Sequence, residues 1–341
     1  MKRLWLLLFL GISLALSTLI SLFLGAYALD YKQVIGILSL ATEGADQSLQ
    51  YLIWNIRLPR ILLCVLVGGG LAIAGAGIQG LFRNPLADPT LLGITSGAMV
   101  FAAFGIVFAS TLLVNLTSML GYSLIAFLSF IGSVLCTIIV YRLGTWRGTT
   151  SVATMLLAGI AITALCGAIT GLLTYISDED QLRDITFWTL GSMAAGNWKV
   201  ISILLPCVLL PSLLLLRLAQ PLNILMLGER EAEHLGVNLQ RLKWAIIICV
   251  ALIVGVCVAV SGIIGFIALV VPHLIRLMIG PKHQSLMIGS MLLGAILMLW
   301  ADNAARTIIA PAELPVGILT AMFGAPFFIG LLLQSKKVFA F

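Results

Sequence analysis

Charge is what this sequence has least of. Asp, Glu, Lys and Arg together make up 9% of its 341 residues, where soluble domains carry about a quarter. No polar stretch is long enough to fold as a separate domain, so residues 1–341 read as a single membrane domain. Nor is there a G-x-x-x-x-G-K-[ST] sequence, which excludes nucleotide binding by a P-loop. The six cysteines (Cys64, Cys136, Cys166, Cys207, Cys249, Cys257) all fall in apolar runs and include no C-x-x-C pair, so neither a disulfide framework nor a zinc site is indicated. Three scattered histidines, His234, His273 and His283, form no ligand-spaced cluster. Metal ligation and a bound cofactor are therefore not expected. No acid or base falls near the centre of any apolar run. That argues against proton coupling, which needs an ionisable group inside the membrane, and so against a secondary transporter. A membrane-embedded enzyme is disfavoured in the same way, because no nucleophile and base are placed together.

What is present is hydrocarbon. Hydrophobic residues make up 61% of the chain and the mean hydropathy is +1.16. The apolar runs are long enough to span a bilayer as helices, so the fold class is an all-α integral membrane protein. The N-terminus could pass for a signal peptide with a small-residue site at Ala26-Tyr27-Ala28. Its apolar run from Leu4 to Leu29 is longer than such peptides use, which favours a retained first helix. A polar loop from Asp30 to Arg57 follows, then helix 2 from about Pro59 to Phe82. That helix is rich in glycines at small-xxx-small spacing. Helices 3 and 4 share the uncharged run Leu91–Tyr141, and helix 5 covers about Thr150–Ile176. The segment Trp244–Ile275 is either one long span or two passages turning at Ser261-Gly262. If it turns, 13 of the 19 basic residues share one face, which the positive-inside rule makes the cytoplasm. Ten transmembrane helices with both termini cytoplasmic follow. A net charge of +6 thus reports membrane orientation and carries no implication of nucleic acid binding.

One interval departs from this pattern. Arg217–Lys243 is the longest amphipathic stretch, and within it GEREAEHLG reads as a short capped helix. Glu229, Glu231 and Glu233 favour its positive end, and Gly236 suits a left-handed ending. Ala232 and Leu235, three apart, can share an apolar face. A capped helix offered to solvent suits docking; the alternative is a plain connecting loop. If transport is active, its energy must come from a partner, and this is the place for that partner to push.

Three blocks carry a family resemblance. The first is RLPR (Arg57–Arg60) followed by GAGIQGLFRNPLADPTLLGITSGA (Gly75–Ala98). The second is LGEREAEHLGV (Leu227–Val237). The third is SGIIGFIALVVPHLIRLMIG (Ser261–Gly280) with ADNAAR (Ala301–Arg306) and ELPVGILTAMFGAPFFIGLL (Glu313–Leu332). In this order they resemble the permease subunits of bacterial ABC importers for vitamin B12, ferric siderophores and haem. The resemblance implies a type II ABC importer permease fold of ten helices in the inner membrane, working as a homodimer. Its partners would be two ATP-binding cassette ATPase subunits, which carry out ATP hydrolysis, and a periplasmic substrate-binding protein. It assigns Arg57, Arg60 and Arg306 to docking of the binding protein, with simple interfacial snorkelling as the alternative. Leu227, Gly228, Glu229, Ala232, Leu235 and Gly236 match the cytoplasmic coupling helices, at about residues 221–240. Gly148, Thr149, Thr150 and Ser151 occupy the inner gate position, without a motif match. Arg83–Pro89 is similar to an inner loop of structural role, and Pro272, His273 and Arg276 also match. The stretch QLRDITFWTLGSMAAGNW (Gln181–Trp198) resembles the haem permeases most, so haem is the expected cargo, ahead of a ferric siderophore and cobalamin.

Overall fold

The computed structural model describes residues 2–25, 47–121, 123–147 and 149–338. The segment 26–46, with the Ala26–Ala28 site and most of the expected Asp30–Arg57 loop, lies outside the described residues, as does Gly148. Among the described residues seven helices are long and apolar enough to cross a membrane, and three shorter apolar helices accompany them.

Helix α1 (Lys2–Phe23) leads to α2 (Gln47–Leu81), which is the hub of the bundle: 83% of its apolar window is buried, against 22% for α1. The sequence suggests a helix starting at Pro59, but the structure starts it at Gln47. Pro59 has no N–H to offer the turn before it, and the helix widens into a π turn over Leu52–Arg57 just ahead of it. Arg57 is therefore helical and does not close a loop. A 3-10 turn (Pro89–Leu92) leads into α3 (Ile94–Phe108); the short α4 (Val114–Leu120) follows, then α5 (Ser123–Leu143). Two short antiparallel strands, β1 (Thr145–Trp146) and β2 (Thr149–Thr150), form a hairpin before α6 (Val152–Ile176). Next come α7 (Glu179–Leu190), α8 (Trp198–Arg217), α9 (Ala219–Leu225) and α10 (Glu229–His234). The chain ends with α11 (Leu239–Ser261), α12 (Ile267–Ile279), α13 (His283–Thr307) and α14 (Val316–Val338).

Glycine makes the centre of the bundle possible. Without a hydrophobic driving force between helices in lipid, close backbone approach supplies much of the association energy. A Cβ on Gly68 would collide with the Gly294 carbonyl of α13, one on Gly294 with the Gly68 carbonyl, and one on Gly75 with the Ala268 carbonyl of α12. Helices α2 and α13 therefore run antiparallel in backbone contact, with Arg60 near Asp302 at one end and Gly80 against His283 at the other.

The Trp244–Ile275 question is answered by a turn inside the bundle. α11 stops at Ser261, and Gly262, with φ +69°, sits against the Trp188 carbonyl where a side chain has no room. The broken backbone is satisfied by neighbours: the Ser192 N–H donates to the Ser261 carbonyl at 2.8 Å and the Val316 N–H to the Gly191 carbonyl at 3.0 Å. Inside a bilayer, non-helical backbone survives only when protein surrounds it. The returning α12 has 13 residues, about 20 Å at 1.5 Å per residue, short of the ~30 Å hydrocarbon core.

Candidate functional site

Polar side chains gather at the two ends of this bundle. At the α2 N-terminal end, Arg60 holds two carboxylates at once. Its Nε reaches both oxygens of Asp302 at 3.1 Å, and its Nη2 donates to Asp302 Oδ1 at 2.9 Å. Nη1 and Nη2 also donate to the two Glu313 oxygens at 2.9 and 2.8 Å. Arg306, one turn beyond Asp302 on α13, closes the set: its Nε lies 3.0 Å from Asp302 Oδ2, and its Nη2 donates to Asn303 Oδ1 at 2.6 Å. Arg57 donates to the Leu22 carbonyl of α1. Asn303 donates to Ser21 at 2.7 Å and Trp300 to Ser17 at 3.1 Å, so α1 is tied to α13 along the same edge.

Arg57, Arg60 and Arg306 are thus brought together, but as buried residues only 3%, 8% and 7% exposed. Guanidinium groups removed from water need carboxylates with good geometry, and Asp302, 2% exposed, supplies the shared one. Glu313 is the outer lid of the cluster, its side chain 42% exposed. Hydrogen bonds from Arg60 hold its carboxyl below the usual glutamate range, with partial burial opposing. Reading the arginines alone missed Asp302, Asn303 and Glu313. The signal available was the i,i+4 spacing of Asp302 and Arg306 in ADNAAR.

The opposite end holds the hairpin and the short helices. Lys243, in the second turn of α11, is 5% exposed. Its Nζ lies 2.9 Å from Glu229 Oε1 of α10 and donates to the Thr150 carbonyl of β2 at 3.0 Å. Gln240, one turn earlier, accepts from the Thr150 N–H at 3.2 Å, and its Nε2 donates to Thr150 Oγ1 and to the Tyr141 hydroxyl, both at 2.8 Å. Ser151 caps α6 by accepting from the Thr154 N–H at 3.3 Å, and the exposed Thr149 donates to the Trp146 carbonyl at 3.0 Å. A polar cleft of about 560 Å³ opens between the hairpin and α10–α11, lined by Thr149, Glu229, Glu233, Gln240 and Lys243 among others.

Around α10, Gly228 (φ +134°) and Gly236 (φ +83°) both take left-handed conformations at the helix boundaries. Ala232 and Leu235 do not share a face: Ala232 is fully buried whereas Leu235 is 61% exposed. Leu235 is the C-cap of α10, its N–H still donating to the Glu231 carbonyl at 3.0 Å while its side chain stays in solvent. Leu227, 67% exposed, lies with Leu235 in solvent, leaving two large apolar side chains uncovered beside the cleft.

Other matched residues brace this end. Arg276 donates to Gln79 Oε1 at 3.1 Å, and Gln79 donates to the Leu269 carbonyl at 3.0 Å. His273 Nδ1 is buried and has no hydrogen-bond partner among the described residues. In the Arg83–Pro89 loop Asp88 caps the 3-10 turn, its Oδ1 accepting from the Thr90 N–H at 2.7 Å. Burial pushes the Asp88 carboxyl up and the Thr90 bond opposes.

The chain matches the FecCD transport family over residues 12–334. It is 44% identical over 332 residues to the hemin transport system permease protein HmuU of Yersinia pestis, covering 96% of this chain and 95% of that one. The molybdate import system permease protein MolB of Haemophilus influenzae is 39% identical over 330 residues, covering 95% and 94%. The vitamin B12 import system permease protein BtuC of Vibrio cholerae is 38% identical over 321 residues, covering 93% of each. A solved structure of a metal-chelate type ABC transporter, in an inward-facing conformation, aligns with a TM-score of 0.83 at 36% identity. It covers 96% of this chain and 98% of that one. With a family match spanning nearly the whole sequence, this chain belongs to the FecCD transport family and is an ABC transporter permease.

Proposed function

We propose that this permease passes haem inward through the inner membrane, as a homodimer driven by two separate ATPase subunits and supplied by a periplasmic binding protein. Ferric siderophore and cobalamin are the alternative cargoes, and the relatives add molybdate. The observation that carries the reading is the uncovered elbow at α10. Leu227 and Leu235 are exposed on either side of a helix too short to stand alone, yet one fixed to the bundle through buried Ala232 and the Glu229–Lys243 pair. An apolar pair on a braced elbow is what a partner groove would take up. The single domain then runs through residues 1–341, ten helices cross the bilayer with both ends cytoplasmic, and the elbow faces the ATPase. Thr149, Thr150 and Ser151 form the inner gate beside it. Haem is favoured among the cargoes by the 44% identity to the hemin permease, above the 39% and 38% to the molybdate and vitamin B12 relatives.

The arginine end is the docking site for the binding protein in this reading. Arg60 and Arg306 cluster there around Asp302. Glu313 is the exposed lid, and an incoming carboxylate would replace it on Arg60. The experiment that tests cargo is reconstitution in nanodiscs with the ATPase and binding protein of the same importer. Haem should stimulate ATP hydrolysis in the presence of the binding protein. Stimulation by cobalamin, a ferric siderophore or molybdate with haem inert would overturn the haem assignment.

A further inference from the structure

The ion pair and hydrogen bonds at the hairpin end join three elements that are separate in sequence. Glu229 belongs to α10, Thr150 to the hairpin ahead of α6, and Tyr141 to the last turns of α5. Two side chains, both on the first turns of α11, connect all three between them. Lys243 spans from Glu229 to the Thr150 carbonyl, and Gln240 from Thr150 to the Tyr141 hydroxyl. Thr150 is the shared point, with its N–H, hydroxyl and carbonyl all engaged by these two residues.

The placement of Lys243 is also unfavourable except for this purpose. A cation gains nothing from the positive end of a helix, and burying an ammonium group requires a compensating partner. Its stability therefore depends on Glu229 and Thr150 being where they are. Displacing α10 would pull Glu229 from the ammonium group, leaving the Thr150 carbonyl to hold a buried cation alone. Moving α10 without the hairpin is thus penalised, and moving both together is not.

We infer that Lys243 and Gln240 are positioning residues that transmit movement of the α10 elbow to the β1–β2 hairpin. This rests on the reading of the elbow as the ATPase contact and of the hairpin as the gate. Neither residue needs to touch the ATPase or the cargo. Lys243 carries the displacement from elbow to hairpin backbone, and Gln240 keeps the hairpin in register with α5 through Tyr141.

The test uses the assembled complex with the ATPase subunits in nanodiscs. A probe Trp146→Cys is placed on the exposed face of the hairpin, in a chain whose six native cysteines are replaced. Thiol reactivity at this probe is compared with and without bound nucleotide, alongside uptake. In the parent, reactivity should change with nucleotide. Lys243→Met and Gln240→Leu should still bind the ATPase and hydrolyse ATP. The nucleotide-dependent change in reactivity should nevertheless disappear, and uptake should fall by about tenfold, within the ~5- to 150-fold range of site-to-site coupling. Lys243→Arg, which keeps charge and donor, should restore both. If both loss variants transport at the parental rate with a parental probe response, the inference is wrong. A parent complex whose probe ignores nucleotide, or that fails to bind the ATPase, would instead overturn the gate or elbow reading on which the inference stands.

Discussion

Both ends of this bundle carry buried charge, and the two clusters are built to opposite plans. At the α2 N-terminal end, Arg60, Asp302 and Arg306 lie on two helices already locked in backbone contact through Gly68 and Gly294. At the hairpin end, Lys243 and Gln240 link elements with little other packing between them: a six-residue helix, a two-stranded hairpin and the start of α11. The first cluster seals a rigid unit. In the proposed coupling, the second bridges parts that move relative to one another. The lesson is that burial of a charged pair does not by itself distinguish a brace from a coupling, whereas the rigidity of the elements it joins does.

The comparison predicts different costs when each cluster is cut. Asp302→Ala leaves Arg60 and Arg306 without their shared carboxylate, and removing one partner of a buried pair costs about 3–5 kcal/mol. Thermal unfolding of the purified protein in detergent should show that loss, and an unchanged midpoint would mean that water reaches the cluster. Lys243→Met should be milder, because Glu229, its side chain 39% exposed, remains hydrated once alone. We expect a change on the order of 1 kcal/mol, as for partly exposed pairs. A drop in midpoint as large as that of Asp302→Ala would erase the distinction between brace and coupling.

Acid should act on the arginine end through its lid. The Glu313 carboxyl is held low by Arg60, so its contribution to stability is present above the ordinary glutamate range and lost as pH falls through the depressed value. Glu313→Gln should remove this acid-dependent part while changing stability at neutral pH little, given the exposure of the side chain. In the proposed docking it should also ease access of a partner carboxylate to Arg60. Binding-protein affinity for the complex in nanodiscs would then rise, and a fall would mean that Glu313 itself contacts the partner. The smallest stability effect belongs to Leu235→Ala, which removes a side chain already 61% exposed. Unfolding should be unchanged, whereas association with the ATPase should weaken. Unaltered association would remove Leu235 from the elbow surface.

Much of this arrangement was legible in the sequence because helix length and charge position are local properties. The apolar runs, the break at Ser261-Gly262 and the left-handed Gly236 follow from patterns a few residues wide. What was not legible depended on distance or on exact termination. Arg60 and Asp302 are 242 residues apart, so the arginines read as free cations when their partners lie across the bundle. Ser17 and Ser21 look like ordinary small residues of α1 until Trp300 and Asn303 are seen to donate to them. Pro59 is a sound start signal for a helix, yet a π turn lets helical backbone continue through it. The apolar pairing of Ala232 and Leu235 does not form, because Ala232 packs into the bundle while Leu235, at the C-cap, stays in solvent. In the sequence Lys243 is simply one basic residue among many, since nothing local says that its ammonium group reaches both Glu229 and Thr150.

The division of the bundle into a docking end and a driven end can be tested most directly by crosslinking. Glu313→Cys and Leu235→Cys, each in a chain lacking its native cysteines, are assembled with the ATPase and the binding protein and treated with a bifunctional thiol- and amine-reactive reagent. Position 313 should crosslink to the binding protein alone and position 235 to the ATPase alone. Capture of the same partner by both positions, or of the two partners in the reverse order, would contradict that division.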